Sequence, residues 1–276
     1  MNLGYLLLRL IRRFLPERLT RFLLRRGLII RPGLETREPA SAAARYRETL
    51  EARGESLNGK RILVFGYGGN FAVGAELLRA GASHIVLLDR FAPPDDRRNR
   101  ELVRAYPDYF ILHATHDRVK TVDAFLTLIH DDVKNLKVSK SFPPFDLVLS
   151  SSVYEHLDDV DGLTSTLVEL TAADGIHVHY VDLRDHYFKL PFEMLKFSER
   201  TWKRWLNPTS NLNRFRLRDY QRVFEVHFAD AQIKVLEREP EAFERARSRI
   251  RHEFLTGDEA HDTATLIEVV ASHPRK

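Results

Sequence analysis

Residues 61–70 read Arg-Ile-Leu-Val-Phe-Gly-Tyr-Gly-Gly-Asn, and this stretch decides the fold. Its apolar first half predicts a short buried strand, and its glycines predict a tight turn whose backbone a ligand can approach closely. Residues 71–80 then predict a helix, and residues 84–88 predict a second strand that ends at Asp89. A strand, a helix and a second strand in this order form a parallel pair with a right-handed crossover.

The same alternation continues along the chain, so the sequence predicts an α/β fold with a mostly parallel sheet. Further helices are predicted at residues 40–54, 97–105, 122–130, 160–171 and 218–228. Further strands are predicted at residues 109–113, 145–149, 176–181, 233–237 and 265–271.

The composition fits one globular domain with additions. The chain has 276 residues, of which 43% are hydrophobic, and it contains no cysteine. Disulfides, thiolate nucleophiles and cysteine zinc sites are therefore excluded, as is usual in a reducing cytoplasm. Eight arginines and one glutamate give residues 1–31 a net charge of +7, so the other residues carry −3 of the total +4. Because the basic charge lies outside the α/β body, we do not expect a nucleic-acid partner.

The basic segment predicts an amphipathic arm. Residues 3–15 place apolar side chains on one helix face and arginines on the other. The apolar face comprises Leu3, Leu6, Leu7, Leu10, Ile11 and Phe14, and the opposite face comprises Arg9, Arg12 and Arg13. The apolar run is too short to span a bilayer. Two interpretations stay open: residues 3–26 lie peripherally on an anionic membrane surface, or the helix packs on the protein's own core or on a second subunit.

The glycine loop and Asp89 together predict a ligand site at the carboxyl edge of the sheet. The start of a helix offers unpaired N–H groups to the ligand, and a carboxylate at the end of the next strand can accept hydrogen bonds from a ribose diol. Dinucleotide enzymes use the same geometry, so an NAD(P)-dependent Rossmann oxidoreductase remains an alternative.

Residues 145–157 distinguish between these possibilities. They read Phe-Asp-Leu-Val-Leu-Ser-Ser-Ser-Val-Tyr-Glu-His-Leu, and they follow the glycine loop by about 80 residues. This segment, with the loop and Asp89, resembles class I S-adenosylmethionine (SAM)-dependent methyltransferases of the type 11/12 kind. The resemblance covers roughly residues 58–185. It implies a Rossmann-like, doubly wound, seven-stranded sheet whose last strand is antiparallel, methyltransferase activity, and SAM as the cofactor.

The resemblance also implies which residues hold the cofactor. Those that would cradle the amino-acid end of SAM are Gly66, Tyr67, Gly68, Gly69 and Asn70, with Ser150 and Ser151 beside the methionine part. Those on the nucleoside side are Asp89 at the ribose, Arg90 near the adenosine, and His116 and Asp117 near the adenine. Val64 departs from the family pattern, which usually has an acidic residue there, so the usual anchor for the SAM ammonium is either missing or supplied from elsewhere.

Three residues are candidates for catalysis. His156 follows the 145–149 strand, and Asp182 and His186 follow the 176–181 strand, at the edge where open α/β sheets bind ligands. A histidine that titrates near neutral pH suits the removal of a proton from a hydroxyl acceptor. His177 and His179 share one face of their strand, where they either join this cluster or are sheet histidines with structural partners. We predict no metal site.

The predicted organisation is an arm of residues 1–39 and a methyltransferase domain of residues 40–276, with an insert at 186–213. Aromatic and cationic residues alternate in the insert, which suits a sugar, a phosphate or a lipid headgroup; the alternative is a second small hydrophobic core. The hypothesis is O-methylation of a glycan, lipid-linked or other small-molecule acceptor, in the cytoplasm near a membrane. A non-catalytic, membrane-docked module with a SAM fold is a further alternative.

Overall fold

The computed structural model describes residues 3–16, 19, 34–113, 118–140, 142–185, 190–207 and 212–276. The helices are α1 (Leu3–Phe14), α2 (Leu34–Arg37), α3 (Pro39–Glu51), α4 (Ala72–Arg79), α5 (Asp96–Ala105), α6 (Val160–Glu169), α7 (Glu199–Thr201), α8 (Leu217–His227), α9 (Pro240–Arg247) and α10 (Glu259–Asp262). The strands are β1 (Arg61–Phe65), β2 (His84–Leu88), β3 (Phe110–Leu112), β4 (Val119–Thr121), β5 (Leu126–Ile129), β6 (Phe145–Ser151), β7 (Thr171–Asp182), β8 (Phe228–Arg238) and β9 (Ala264–Pro274).

Seven strands form one sheet in the order β5-β2-β1-β6-β7-β9-β8. The first five run parallel to one another, and β9 is antiparallel to both of its neighbours. Helices cover both faces, with α3 and α4 on one and α6 and α8 on the other. The prediction of a doubly wound, mostly parallel seven-stranded sheet with an antiparallel last strand is confirmed. The carboxyl ends of β1, β2, β6 and β7 therefore meet at one edge.

The predicted helix at residues 122–130 is wrong. This stretch contains β5, which pairs in parallel with β2 at one end of the sheet, and the turn before it. The predicted strand at 109–113 exists as β3, but it pairs with β4 in a separate hairpin. A short apolar run such as Leu126–Ile129 fits a strand and a helix segment equally well by periodicity, so pairing with β2 settles its conformation.

Helix α1 packs on the body through an unexpected face. Tyr5 and Arg9 are buried, while Leu3, Leu7 and Phe14 are exposed. The side of this amphipathic helix that carries Tyr5 and Arg9 thus faces the protein, with Leu6 and Leu10 half-buried beside it, and much of its leucine side faces outward. Among the described residues, no helix is both long enough and apolar enough to cross a membrane.

The described part of the predicted insert belongs to a hydrophobic cluster of its own. Phe192, Trp202 and Leu206 pack there with Phe243 of α9, and α1 contributes Leu6 and Leu10 at its margin. The Trp202 indole N–H donates to the Leu212 carbonyl at 3.0 Å. This part of the insert therefore matches the interpretation of a second small hydrophobic core.

Candidate functional site

The glycine loop after β1 is tightly packed on two sides and open at its centre. Gly66, Gly68 and Gly69 all have positive φ, which glycine adopts at little cost. A Cβ on Gly66 would lie 2.4 Å from the Val153 side chain, and one on Gly69 would lie 2.5 Å from the Pro93 carbonyl oxygen. A Cβ on Gly68 would meet no atom within 4 Å. The loop therefore has room for a ligand against its backbone at Gly68.

Asp89 connects this loop to the end of β2. Its Oδ2 accepts a hydrogen bond from the Gly68 N–H at 3.0 Å. Its Oδ1 accepts from the Phe91 and Ala92 N–H groups at 2.8 and 2.7 Å. A carboxylate offers about four acceptor positions, so one position on Oδ2 remains for a ligand hydroxyl. The carboxylate thus lies directly beside the open part of the loop, as the sequence predicts.

Asn99 of α5, which the sequence pattern does not indicate as a site residue, fixes the end of the loop next to α4. Its side chain is fully buried, donates to the Gly69 carbonyl at 2.9 Å and accepts from the Phe71 N–H at 2.9 Å. The predicted Asn70 has a related task, because its Oδ1 accepts from the Ala72 N–H at the start of α4. A buried amide that satisfies two backbone groups makes the loop rigid.

Tyr67 lies under the loop rather than in the open space. Its side chain is buried and packs on Phe71 with ring centroids 6.1 Å apart. Burial, followed by the nearby charge of Asp89, raises the pKa of the Tyr67 phenol to about 12. The hydroxyl group is therefore protonated at neutral pH and is a potential hydrogen-bond donor.

Arg45 of α3 reaches the same edge, and it too was missed. Its guanidinium lies 3.5 Å from the centre of the Tyr180 ring, and its Nη2 donates to Ser151 Oγ at 3.3 Å. The Arg45 Nε is buried without a hydrogen-bond partner among the described residues. Ser152 follows in the left-handed region with φ of 56°, a strained conformation that is common at functional turns. A cation with an unused donor therefore stands at the end of β6.

Ser150, in contrast, points into the opposite face of the sheet. Its hydroxyl lies 2.8 Å from His179 Nδ1, and His179 Nε2 lies 3.2 Å from His177 Nδ1. His177 Nε2 lies 2.8 Å from the Thr171 hydroxyl, which donates to the Leu167 carbonyl. Because the threonine proton goes to that carbonyl, each histidine donates from Nε2 and accepts at Nδ1, and Ser150 donates to His179.

The members of this buried chain have no charge at neutral pH. Burial lowers the pKa of His177 to about 3 and the pKa of His179 well below its ordinary value. His177 and His179 are sheet histidines with structural partners, and the Ser150 hydroxyl belongs to the same series of hydrogen bonds. Of the two predicted serines, the structure brings the Ser151 side chain toward the loop side of the sheet.

Two of the candidate catalytic residues, His156 and Asp182, lie at the carboxyl ends of the neighbouring strands β6 and β7. His156 is half-buried in the short 3₁₀ turn Tyr154–His156 after β6. The neighbouring Glu155 accepts from the Asp182 backbone N–H at 3.3 Å, which connects this turn to the end of β7. The Asp182 carboxylate is buried and accepts from the Arg184 guanidinium at 2.8 Å, so a cation already balances its charge.

Asp185, three residues after β7, anchors α1 at this edge. Its carboxylate is fully buried and accepts from Arg9 Nε at 2.9 Å and from the Tyr5 hydroxyl at 2.5 Å. The Arg9 guanidinium also lies 4.6 Å from the centre of the Trp202 ring. The N-terminal helix is therefore attached to the same edge of the sheet as the glycine loop.

The remaining predicted residues lie toward the outside or beyond the described part. Arg90 is exposed, donates to Asp132 at 2.6 Å and stacks on Phe91. Phe91 has 83% of its surface exposed, so its ring is accessible to a planar ligand group. His116, Asp117 and His186 lie outside the described residues.

Comparison with known proteins agrees with this architecture. No protein-family model matches the chain. No curated protein matches it either. The SAM complex of phosphoethanolamine N-methyltransferase 2 from Haemonchus contortus is similar, with a TM-score of 0.51 at 15% identity, over 84% of this chain and 53% of that one. A SAM-dependent methyltransferase from Mesorhizobium loti matches over 86% of this chain and 100% of its own, at 16% identity and a TM-score of 0.44.

At 15% identity, the likeness to the Haemonchus contortus enzyme concerns the fold. The strand order, the antiparallel β9 and the glycine loop between β1 and α4 agree with it. The chain therefore has the class I SAM-dependent methyltransferase fold, as the glycine loop and the Glu155-His156 segment predict.

Proposed function

We propose that this protein is a SAM-dependent methyltransferase. The observation that carries the proposal is the open backbone at Gly68 with an unused acceptor position of Asp89 beside it. SAM has an amino-acid group at one end and an adenosine at the other, and this edge offers backbone for the amino-acid group and a carboxylate for the ribose of the adenosine. When bound, SAM would supply an electrophilic methyl group on a sulfonium centre.

Different residues of the chain would bind different parts of SAM. The Gly66–Asn70 loop and Ser151 would surround the methionine part, whereas the Ser150 hydroxyl is bonded to His179 on the opposite face of the sheet. Arg45 is a cation that could pair with the SAM carboxylate. It does not replace the acidic residue missing at Val64, because the SAM ammonium needs an anionic or hydrogen-bond-accepting partner. Residues for the nucleoside part are Asp89 for the ribose diol, Arg90 for the adenosine, and His116 and Asp117 for the adenine.

The acceptor side is the edge formed by the ends of β6 and β7. His156 is the residue that takes the proton from an acceptor hydroxyl, and His186 is a second candidate on the β7 side. The Asp182 carboxylate accepts a hydrogen bond from the Arg184 guanidinium. We therefore assign Asp182 an electrostatic and positioning role at the end of β7 rather than a role in proton transfer. Holding the acceptor in line with the methyl group is the largest contribution available to such a site.

The acceptor class that we propose is a glycan, a lipid-linked intermediate or another small molecule with a hydroxyl group, methylated in the cytoplasm near a membrane. The basic arm supports the membrane location, because residues 1–31 carry a net charge of +7. Nucleic acid is not among the proposed partners, because the rest of the chain is net negative.

A matched pair of glycine variants tests the cofactor site. Gly68→Ala is expected to weaken SAM binding by about 100-fold, because its methyl group would occupy the space next to the loop backbone. Gly59→Ala is the control: Gly59 has φ of 71° against 68° for Gly68, and neither Cβ would meet an atom within 4 Å. Both variants therefore introduce the same backbone strain.

The measurement is SAM affinity by calorimetry, with thermal unfolding recorded for both variants. Equal loss of stability with loss of SAM affinity in Gly68→Ala alone supports the site. Two variants that bind SAM as tightly as the unaltered protein would show that the ligand does not lie against Gly68, and the proposal would fail.

A further inference from the structure

Helix α1 is attached to the protein by its polar side. Arg9 is 1% exposed, binds Asp185 and donates to the Leu206 carbonyl at 3.1 Å. Farther along the same side, Arg13 Nε lies 3.5 Å from the Arg204 carbonyl. An amphipathic helix on a globular protein normally turns its apolar side to the core. Here Tyr5 and Arg9 are the buried residues of the docking side, and Leu6 and Leu10 are half-buried at its margin. The rest of the apolar side is left to another partner.

The outward side of α1 is a continuous apolar strip. Five of its side chains are exposed, by 48% to 70% of their surface: Leu3, Leu7, Leu8, Ile11 and Phe14. They recur at the three- and four-residue spacing of one helix face. Trp205, in the turn that packs against α1, is a further exposed apolar side chain at 44%. Contiguous apolar surface of this kind marks an interaction site.

Exposed cationic side chains lie next to this outer strip. Arg13 is on α1, and Arg204 is in the turn Trp202–Leu206 beside α1, where it stacks on Trp205 at 5.2 Å. Lys203 of the same turn pairs with Glu199. Aromatic and cationic side chains next to an apolar helix face are typical of proteins that lie at a membrane interface.

We propose that the outer strip of α1 is the docking surface for an anionic lipid bilayer. The apolar side chains would enter the boundary between headgroups and acyl chains, and the neighbouring arginines would lie at the level of the phosphates. A second copy of the chain fits less well. A two-fold contact through α1 would bring Arg13 and Arg204 of one copy toward the same residues of the other, and like charges across an interface are unfavourable.

The attachment of α1 determines where the bilayer would lie relative to the proposed reaction. Asp185 follows β7 at the carboxyl edge and binds Arg9 of α1. Helix α1 is therefore held beside the edge formed by the ends of β6 and β7, where we propose that the acceptor binds. This step rests on the proposed function: a methyltransferase that docks in this way would take an acceptor carried on a lipid anchor, with its hydroxyl group projecting from the surface. The acceptor class thereby narrows from small molecules in general to lipid-borne ones.

Vesicle flotation with the full chain tests the docking surface. The probes are vesicles of phosphatidylcholine alone and vesicles that also contain phosphatidylglycerol. We expect the protein to float with the anionic vesicles and to partition roughly tenfold less into the neutral ones, because each basic residue near an anionic surface favours binding. The double variant Leu7→Gln, Ile11→Gln is expected to partition into the anionic vesicles at least about tenfold less, since two apolar side chains that would be buried in the bilayer are removed.

Val226→Gln is the matched control, because Val226 is a 57% exposed apolar residue on α8. It should float as the unaltered protein does. The docking proposal is overturned if the unaltered protein stays at the bottom of the gradient. It is also overturned if the Leu7, Ile11 double variant floats as well as Val226→Gln. It is likewise overturned if the Leu7, Ile11 variant instead converts a dimer to a monomer in sedimentation, which would identify a second copy as the partner.

SAM affinity, measured on the same three proteins, keeps this test separate from the proposed function. Vesicle binding without SAM binding would retain the docking surface and remove the methyltransferase. SAM binding without vesicle binding would do the reverse.

Discussion

Asp185→Asn is expected to destabilise the docking of α1 by about 3–5 kcal/mol, which is the usual effect of removing one partner from a buried ion pair. Arg9 and Asp185 are 1% and 0% exposed, and Tyr5 donates to the same carboxylate oxygen at 2.5 Å. The substitution keeps the shape of the side chain but leaves the buried guanidinium of Arg9 without its counter-ion. The measurements are urea unfolding and the rate of proteolytic cleavage between α1 and α2.

Arg47→Ala provides the control for this prediction. Arg47 pairs with Glu51 on the exposed surface of α3 at 3.6 Å, and such pairs contribute about 0–1 kcal/mol. We expect faster cleavage and a lower unfolding midpoint for Asp185→Asn alone. If the two variants unfold and are cleaved alike, then α1 is not held by a buried ion pair.

The second large effect is a loss of stability at acidic pH that originates from His177 and His179. The pKa of His177 is lowered by burial to about 3, whereas an unfolded histidine titrates near 6.5. Below pH 6.5 the unfolded chain therefore binds more protons than the folded one. The contribution of each histidine is complete above pH 6.5 and is lost as the pH falls toward the folded-state pKa. Between pH 7.5 and pH 5 the loss for His177 is about 2 kcal/mol. His179 contributes in the same direction, because burial lowers its pKa as well.

Comparison of the unaltered protein with His177→Gln isolates this effect. The buried Glu35 acts in the opposite direction, because burial raises the pKa of its carboxyl group to about 7 and folding therefore becomes less costly as it protonates. That contribution is common to both proteins. The free energy of unfolding of His177→Gln should fall by about 2 kcal/mol less than that of the unaltered protein over this pH range. Equal pH dependence would mean that His177 is protonated in the folded state.

The parts of the fold that the sequence predicts best are those set by local pattern. Strands β1 and β2 begin and end at the expected residues, because each is an apolar run next to glycines or a strand-end aspartate. Asp89 is beside the loop because parallel strands end at one edge. Strand β5 could not be predicted in the same way. Its four residues carry no decisive periodicity, and its conformation depends on pairing with β2, which is distant in sequence.

The residues that the sequence analysis missed depend on long-range contacts. Arg45 looks like any other arginine of an exposed helix until α3 is packed over Tyr180. The hydrogen bonds of Asn99 to the glycine loop form only because α5 packs beside that loop, which the sequence pattern does not predict. The orientation of α1 was not predictable either, because the partner of Arg9 is 176 residues away at Asp185. Hydrophobic patterning predicts an apolar side on this helix but does not determine which side meets the body.

The central claim is that SAM binds where the glycine loop meets Asp89. The most direct test is calorimetric titration of the full, unaltered protein with SAM, S-adenosylhomocysteine and NADPH. We expect one site for each of the two adenosyl ligands, with dissociation constants in the micromolar range, and no heat of binding with NADPH. Tight binding of NADPH together with no binding of SAM, by protein that is folded and monodisperse, would contradict the claim.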